Sequence, residues 1–392
     1  MISVEEALAR VFALVRCLDA ETVPLTKACG RFMANPATAT RDQPPFAAAA
    51  MDGYATCGHA TAGSRFALVG EASAGHAWHG TLAPGQAIRI FTGAPVPPGA
   101  DRVVIQEDVS RAGDQITLSD PLDSATHIRA MGQDFKAGDT LSPRLLRPSD
   151  VALLAAMNVA AVSVIRRPIV AIIATGDELV MPGEVPRPDQ IIASNGLALK
   201  AMVEEAGGIA RLLPIARDTE ASLTTVFNLA MGADLIVTIG GASVGDHDLV
   251  GKVAADMGMD RAFYKVAMRP GKPLMAGRIN GTPMLGLPGN PVSSIVCGHI
   301  FMLPMLRALQ GLGAVAPKMQ RATLAAALPA NGPRAHYMRA VVDHGTDIPK
   351  ITAFSAQDSA LLTVLSQANA LLLRPVNDGP RGVGDTVEYL PI

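Results

Sequence analysis

Residues 234–249, DLIVTIGGASVGDHDL, join a β-branched apolar run to two glycines, a serine and a group of polar residues. The run has the length of a strand buried on both faces. Where a strand passes through a glycine loop into a helix, backbone N–H groups converge. Without Cβ atoms in the way, an anion can approach them closely. A second passage of this kind lies at 286–294, GLPGNPVSS, where Asn290 suits an N-cap and Pro291 the first helical position. Carboxylates gather at neighbouring strand ends: Asp177, Glu178, Asp218, Asp246 and Asp248. Lys272 adds a cation after Pro270-Gly271, and Ser293 adds a hydroxyl. This set suits a phosphate-containing ligand held with a divalent cation. Mg²⁺ takes hard oxygen ligands, typically one or two carboxylates with phosphate oxygens and water, and it polarises a phosphoryl group. The glycine loop is not a Walker A motif, since no Gly-Lys-Ser/Thr follows, and it lacks GxGxxG spacing. No Ser-His-Asp or Cys-His pattern points to acyl chemistry, and His247 reads as a solvated loop histidine.

The elements that must position these groups alternate between strand and helix across 168–312. Strands are expected at 169–174, 209–215, 235–239 and 263–268, and helices at 195–206, from 219 to 231, and at 249–257. Asn280-Gly281 suits a two-residue type I′ hairpin turn. A helix from Pro291 to about Leu309 should be kinked or interrupted by Pro304. Strand–helix alternation predicts a mostly parallel sheet covered on both faces, with its ligand beyond the carboxyl ends of the strands.

Elsewhere the pattern changes. Ser3 and Glu6 form a capping box for a helix over 3–18. A second helix, from Pro148 to about Met157, is expected to pack on it. Residues 41–141 read as β-rich, with turns marked by Gly, Pro and Asp, and as inserted into a helical domain made of 1–40 and 142–167. After a linker at 311–318, residues 317–392 read as a C-terminal β domain. The whole chain has 392 residues, 49% of them hydrophobic and 17% charged, with net charge −2, so no basic field draws it to nucleic acid or to an anionic membrane. Four cysteines without a CxxC pair, no basic-then-apolar leader, and a longest apolar run (151–165) broken by Asn158 and Ser163 are what a cytoplasmic protein would carry.

Taken together, PPF…AMDGYA at 44–55, TGAPVPPGAD at 92–101, GQD at 132–134, TGDEL at 175–179, IGGASVGDHD at 239–248, RPGKP at 269–273, GLPGNPVS at 286–293 and QDS…QAN at 357–369 resemble the molybdopterin molybdenumtransferases of the MoeA type, the family of the gephyrin E domain. The resemblance implies an α/β multidomain fold: a helical platform with an inserted β-rich domain, a three-layer α/β molybdopterin-binding domain and a C-terminal β-barrel-like domain. It implies Mg²⁺-dependent conversion of adenylylated molybdopterin and molybdate to molybdenum cofactor with release of AMP. It places catalysis on Asp52, Asp134, Glu178, Asp218 and Asp248, with Mg²⁺ on Glu178, Asp218 and Asp248. Thr175, Gly176, Asp177, Ser194, Asn195, Gly240, Gly241, Ser243, Gly245, Pro288, Gly289, Asn290 and Pro291 match positions that hold the pterin and nucleotide. Lys272, Ser293, Arg339 and Ser359 match a molybdate site. A homodimer with a site shared between subunits is implied, and molybdopterin adenylyltransferase and molybdoenzyme maturation factors are partners consistent with it. Ala48, Ala49, Ala193, Gln133 and Arg269 depart from the usual pattern, and an arginine in place of lysine changes geometry while keeping charge. Two alternatives stay open at this stage: a molybdopterin adenylyltransferase, which needs only the α/β domain, and a gephyrin-like scaffold.

Overall fold

Ser3 opens helix α1 (Val4–Leu14) as expected, its hydroxyl accepting from the Glu6 N–H at 3.1 Å. This computed structural model describes residues 1–240, 249–345 and 348–392. The chain divides into two units, one of Met1–Glu21 with Ile165–Ile392 and one of Thr22–Val164.

In the first unit the apolar runs become strands β1 (Ile169–Ala174), β2 (Ile209–Leu212), β3 (Leu235–Ile239) and β4 (Asp260–Tyr264), then, after the short β5 (Met268–Arg269), β6 (Met275–Ile279) and β7 (Thr282–Leu287). Six of them form one sheet in the order β2-β1-β3-β7-β6-β4. The first four are mutually parallel, and β6 and β4 add antiparallel pairings. Alternate residues feed two cores: Val170 and Ile172 enter one, Ala171 and Ile173 the other, and β3 splits in the same way. Both faces are therefore buried, which is why these strands read as continuous apolar runs. Residues of α1, α2 (Asn195–Glu205) and the 291–309 helix fill the first core, and residues of α3 (Glu220–Leu229) and α4 (Leu249–Asp256) fill the second. The result is three layers.

Two expectations need correction. Helix α1 does not pair with the Pro148–Ala156 helix. Val4, Ala7, Leu8, Val11 and Leu14 join the core of the α/β sheet, whereas Leu154 joins a core of the other unit. An apolar stripe says that a helix needs a partner without naming which. The strand expected over 263–268 is split, because Lys265 takes φ +69 and ends β4. The interruption expected at Pro304 is present, as a π-helical turn, Gly298–Met302, between α5 (Pro291–Cys297) and α6 (Leu303–Leu309). There the Leu303 N–H reaches the Gly298 carbonyl, just before the residue that has no N–H to give. The 291–309 helix is long and apolar enough to cross a membrane, but 78% of its most apolar window is buried inside the protein, so it is a core helix. Asn280 and Gly281 take φ +48 and +84 between β6 and β7, the expected type I′ turn.

The C-terminal strands β8 (Gln320–Leu324), β9 (Ala335–Asp343), β10 (Lys350–Ala353), β11 (Ala370–Arg374) and β12 (Thr386–Pro391) close on themselves in the order β9-β10-β8-β12-β11-β9. Their barrel core includes Leu324, Ala340, Ile351, Leu372 and Tyr389. Strand β5 adds to β9, with Met268 opposite Ala335 and Arg269 opposite His336, and ties barrel to α/β domain.

In the second unit, Met33, Leu146, Leu154 and Val164 share one core. A curled six-stranded sheet builds the rest, with a bulge between Leu68 and Gly70. A side chain at Gly70 would meet the Trp78 ring, its Cβ 2.2 Å from Nε1. Ala48–Ala49 pair with Ile128–Arg129 as a buried two-residue strand.

Gly271 holds the loop before Lys272 at φ +111, and a Cβ there would lie 2.5 Å from the Cys297 Sγ. Gly271→Ala should cost roughly 2–4 kcal/mol, from strain plus overpacking. Gly281→Ala, also at positive φ but with open space around it, should cost only about 1 kcal/mol. Urea unfolding of the two variants checks this, and equal losses would mean that the close approach does not matter.

Candidate functional site

The register of the parallel strands puts Ala174 beside Ile239 and Ile239 beside Leu287. The loops that follow are thus neighbours. The Thr175 N–H donates to the Ile239 carbonyl at 3.0 Å, that of Gly240 to Leu287 at 3.1 Å, and that of Gly176 to Ala216 at 3.0 Å. Gly240 takes φ +91, and a Cβ would lie 3.0 Å from both the carbonyl oxygen and Oγ1 of Thr175, so any side chain there would be strained and crowded. At Gly176, φ +147, a Cβ would lie 2.3 Å from a Glu178 carboxylate oxygen, which shows how closely that side chain folds back.

A cleft of about 1010 Å³ opens beyond these strand ends. Of the residues named from the sequence, Thr175, Gly176, Glu178, Ser194, Asn195, Asp218, Gly240, Lys272, Pro288, Gly289, Asn290 and Pro291 line it. Asp177 is exposed and joined to Asp218. Its N–H donates to Asp218 Oδ2 at 3.4 Å, and its Oδ1 accepts the Asp218 N–H at 3.2 Å. Asn195 Nδ2 donates to the Gly289 carbonyl at 2.7 Å, locking the start of α2 to the second glycine loop.

The barrel closes one side. Asn290 does not use its side chain as a helix cap. Its Nδ2 donates instead to Ser359 Oγ at 3.0 Å, and the Val292 N–H donates to the Ser359 carbonyl at 3.1 Å. Ser293 is buried in the first turn of α5. Arg339 is fully buried on β9, its Nη2 donating to the Asp358 carbonyl at 2.8 Å. Its Nε and Nη1 have no partner among the described residues. Burial lowers the pKa of this guanidinium, with Arg269 adding to the effect. Two unpaired nitrogens on a buried cation are costly, and an anion would satisfy them.

Asp52 and Asp134 belong to the other unit and are not among the residues lining this cleft. Both are exposed. Asp52 Oδ1 accepts from the Thr92 N–H and from Thr92 Oγ1, each at 2.8 Å, and these bonds with nearby Arg89 hold its carboxyl below its ordinary pKa. Gly241, Ser243, Gly245 and Asp248, with Asp246 and His247, lie outside the described residues.

Some residues in and around the cleft carry no signal in the sequence strong enough to name them. Arg217 is a clamp: Nη1 donates to the carbonyls of Gly176 at 3.3 Å, Asp177 at 3.1 Å and Leu179 at 3.1 Å. It ties the loop carrying Glu178 to the one carrying Asp218, and its only hint was its place beside Asp218. Lys265 and the exposed Ile191 and Ile192 also line the cleft.

Three family models match the chain in order: MoeA N-terminal region (domain I and II) over 2–158, Probable molybdopterin binding domain over 171–308, and MoeA C-terminal region (domain IV) over 321–392. The chain belongs to the MoeA family. Relatives in it include Molybdopterin molybdenumtransferase 2 of Mycobacterium tuberculosis, 35% identical over 388 residues, or 95% of each chain. The Molybdopterin molybdenumtransferase of Nostoc is 35% identical over 96% of this chain and 91% of that one. Two structures of the molybdopterin biosynthesis MoeA protein of Pyrococcus horikoshii share the MoeA fold with it at a TM-score of 0.83 each. They are 30% and 26% identical, over 100% of this chain and 99% and 100% of theirs.

Replacing Arg217 by Met should free the 176–180 loop while helix α3 keeps its cap at Thr219. Losing charge-assisted hydrogen bonds worth roughly 1.5–3 kcal/mol should speed amide exchange in that loop about tenfold or more. Hydrogen-exchange mass spectrometry reads this directly, and unchanged protection of the loop would refute the clamp.

Proposed function

We propose that the chain is an enzyme of molybdenum cofactor biosynthesis, a molybdopterin molybdenumtransferase that inserts molybdate into adenylylated molybdopterin and releases AMP. One observation carries the reading. A single cleft at the strand carboxyl ends brings two carboxylates, Glu178 and Asp218, together with Lys272 and the Pro288–Asn290 turn, and Asn290 is bonded to Ser359, next to the Asp358 whose carbonyl holds the buried, incompletely paired Arg339. Membership of the family, at full length and on both flanks of the α/β domain, favours this over an adenylyltransferase or a scaffold.

Mg²⁺ is the metal the family implies, and the donors fit it. Glu178 and Asp218 offer two hard carboxylates in the cleft, and no group of three or more His, Cys, Asp or Glu able to hold a metal occurs among the described residues. That is the donor set Mg²⁺ shares with substrate phosphates and water. Bound there, the ion would neutralise charge building on the pyrophosphate.

The chain's own residues do the rest. The Pro288–Asn290 loop cradles phosphate oxygens, Asn195 keeps that loop in place, and Ile191 and Ile192 offer an apolar wall for a flat ring. Lys272, Ser293, Arg339 and Ser359 hold molybdate, where an ammonium, a guanidinium and hydroxyls match an oxyanion. The chain acts as a homodimer in this reading, with Asp52 and Asp134 supplied to each cleft by the second subunit. Thr92 holds the Asp52 carboxylate in one position for that task.

Calorimetric titration of Lys272→Ala and Arg339→Met with molybdate and, separately, with AMP tests the assignment. Both variants should bind molybdate roughly tenfold more weakly or worse, as loss of a charge-assisted hydrogen bond predicts, with AMP binding nearly unchanged. Unchanged molybdate affinity in both would remove the oxyanion site and leave a phosphohydrolase at most.

A further inference from the structure

Five non-glycine residues stand at positive φ among those described: His127, Asn158, Lys265, Asn280 and Asn377. Asparagine and histidine visit this region more readily than other side chains. Lys265, at φ +69, is the exception. A glycine would take the same conformation without a penalty of about 1 kcal/mol. The backbone has little freedom to relax, since the Lys265 N–H donates to the Leu274 carbonyl at 2.9 Å and its own carbonyl accepts from the Ile2 N–H at 3.3 Å. A strained lysine where glycine would be easier needs a use for its side chain.

Like Lys272, Lys265 is one of the residues lining the cleft. Its ammonium lies 5.1 Å from the centroid of the Tyr264 ring, which Arg261 also faces at 5.7 Å. A ring steadies a cation without neutralising it. Among the described residues no carboxylate pairs with Lys265 or with Lys272.

Charge balance says what the extra cation is for. In the reading above, the charge of Mg²⁺ is met by Glu178 and Asp218, and that of molybdate by Lys272 and Arg339. A pyrophosphate diester brings two further negative charges, and Arg217 is already committed to three backbone carbonyls. Lys265 is the cleft cation left over.

We propose that Lys265 is a phosphate-binding residue of this cleft, its ammonium holding oxygens of the pyrophosphate-bearing substrate while Lys272 serves the metal oxyanion. The proposal rests on the phosphate reading of the cleft. The left-handed backbone supplies a clean test, because Lys265→Gly removes the cation and relieves strain together. In the full-length protein Lys265→Gly should melt no lower than wild type. It should bind inorganic pyrophosphate roughly tenfold more weakly, with molybdate affinity unchanged. Lys265→Arg, which keeps the charge, should retain most of the pyrophosphate affinity, and the wild-type advantage should shrink at high salt. Calorimetry with each anion at fixed Mg²⁺, alongside thermal melts, separates the outcomes. A lower melting temperature with unchanged pyrophosphate affinity would make Lys265 a structural partner of Tyr264 and overturn the proposal. So would a loss confined to molybdate. Wild-type protein that binds no pyrophosphate would overturn the phosphate reading itself, and the lysine's role with it.

Discussion

The parallel register of β1, β3 and β7 is the constraint on which the site depends. It ends Ala174, Ile239 and Leu287 side by side, so the loops after them share one space. The central strands β1 and β3 are buried on both faces, and every side chain they carry is apolar except the buried Thr238. Polar chemistry is therefore pushed to the strand ends. The close approach of the loops then favours glycine at 240, where a side chain would crowd Thr175. Packing, topology and site follow from a single alignment.

The barrel contributes a different kind of element. It is bound to the α/β domain by the β5–β9 pairing and by the contacts of Ser359 with Asn290 and Val292. Arg339 donates to the Asp358 carbonyl next to that Ser359, fully buried and only partly hydrogen-bonded. Burying an incompletely paired guanidinium destabilises the protein unless a ligand completes it. A fold shaped only for stability would have an apolar residue at this position.

Much of this was legible in the sequence. Gly240, the second glycine loop, the carboxylates at 177, 178 and 218, Lys272 and the Asn280-Gly281 turn all lie where pattern and turn chemistry put them. Each is a local signal. What stayed hidden depends on partners distant in the chain. Helix α1 shows its apolar stripe but not which core receives it. Arg217 becomes a clamp only once Gly176, Asp177 and Leu179 curl around it. Lys265 sits in an apolar run that reads as unbroken strand, and nothing in the letters marks its left-handed backbone. The departures at Ala48 and Ala49 have a plain structural consequence: small side chains fill a buried two-residue strand.

Crystals soaked with AMP, Mg²⁺ and molybdate, and measured at the molybdenum absorption edge, address the central claim most directly. The account predicts an anomalous peak within hydrogen-bonding reach of Arg339 Nε or Nη1 and of Ser359 Oγ, with the AMP phosphate at the glycine loops beside it. A molybdenum peak elsewhere, with both Arg339 nitrogens still unpaired, would contradict it.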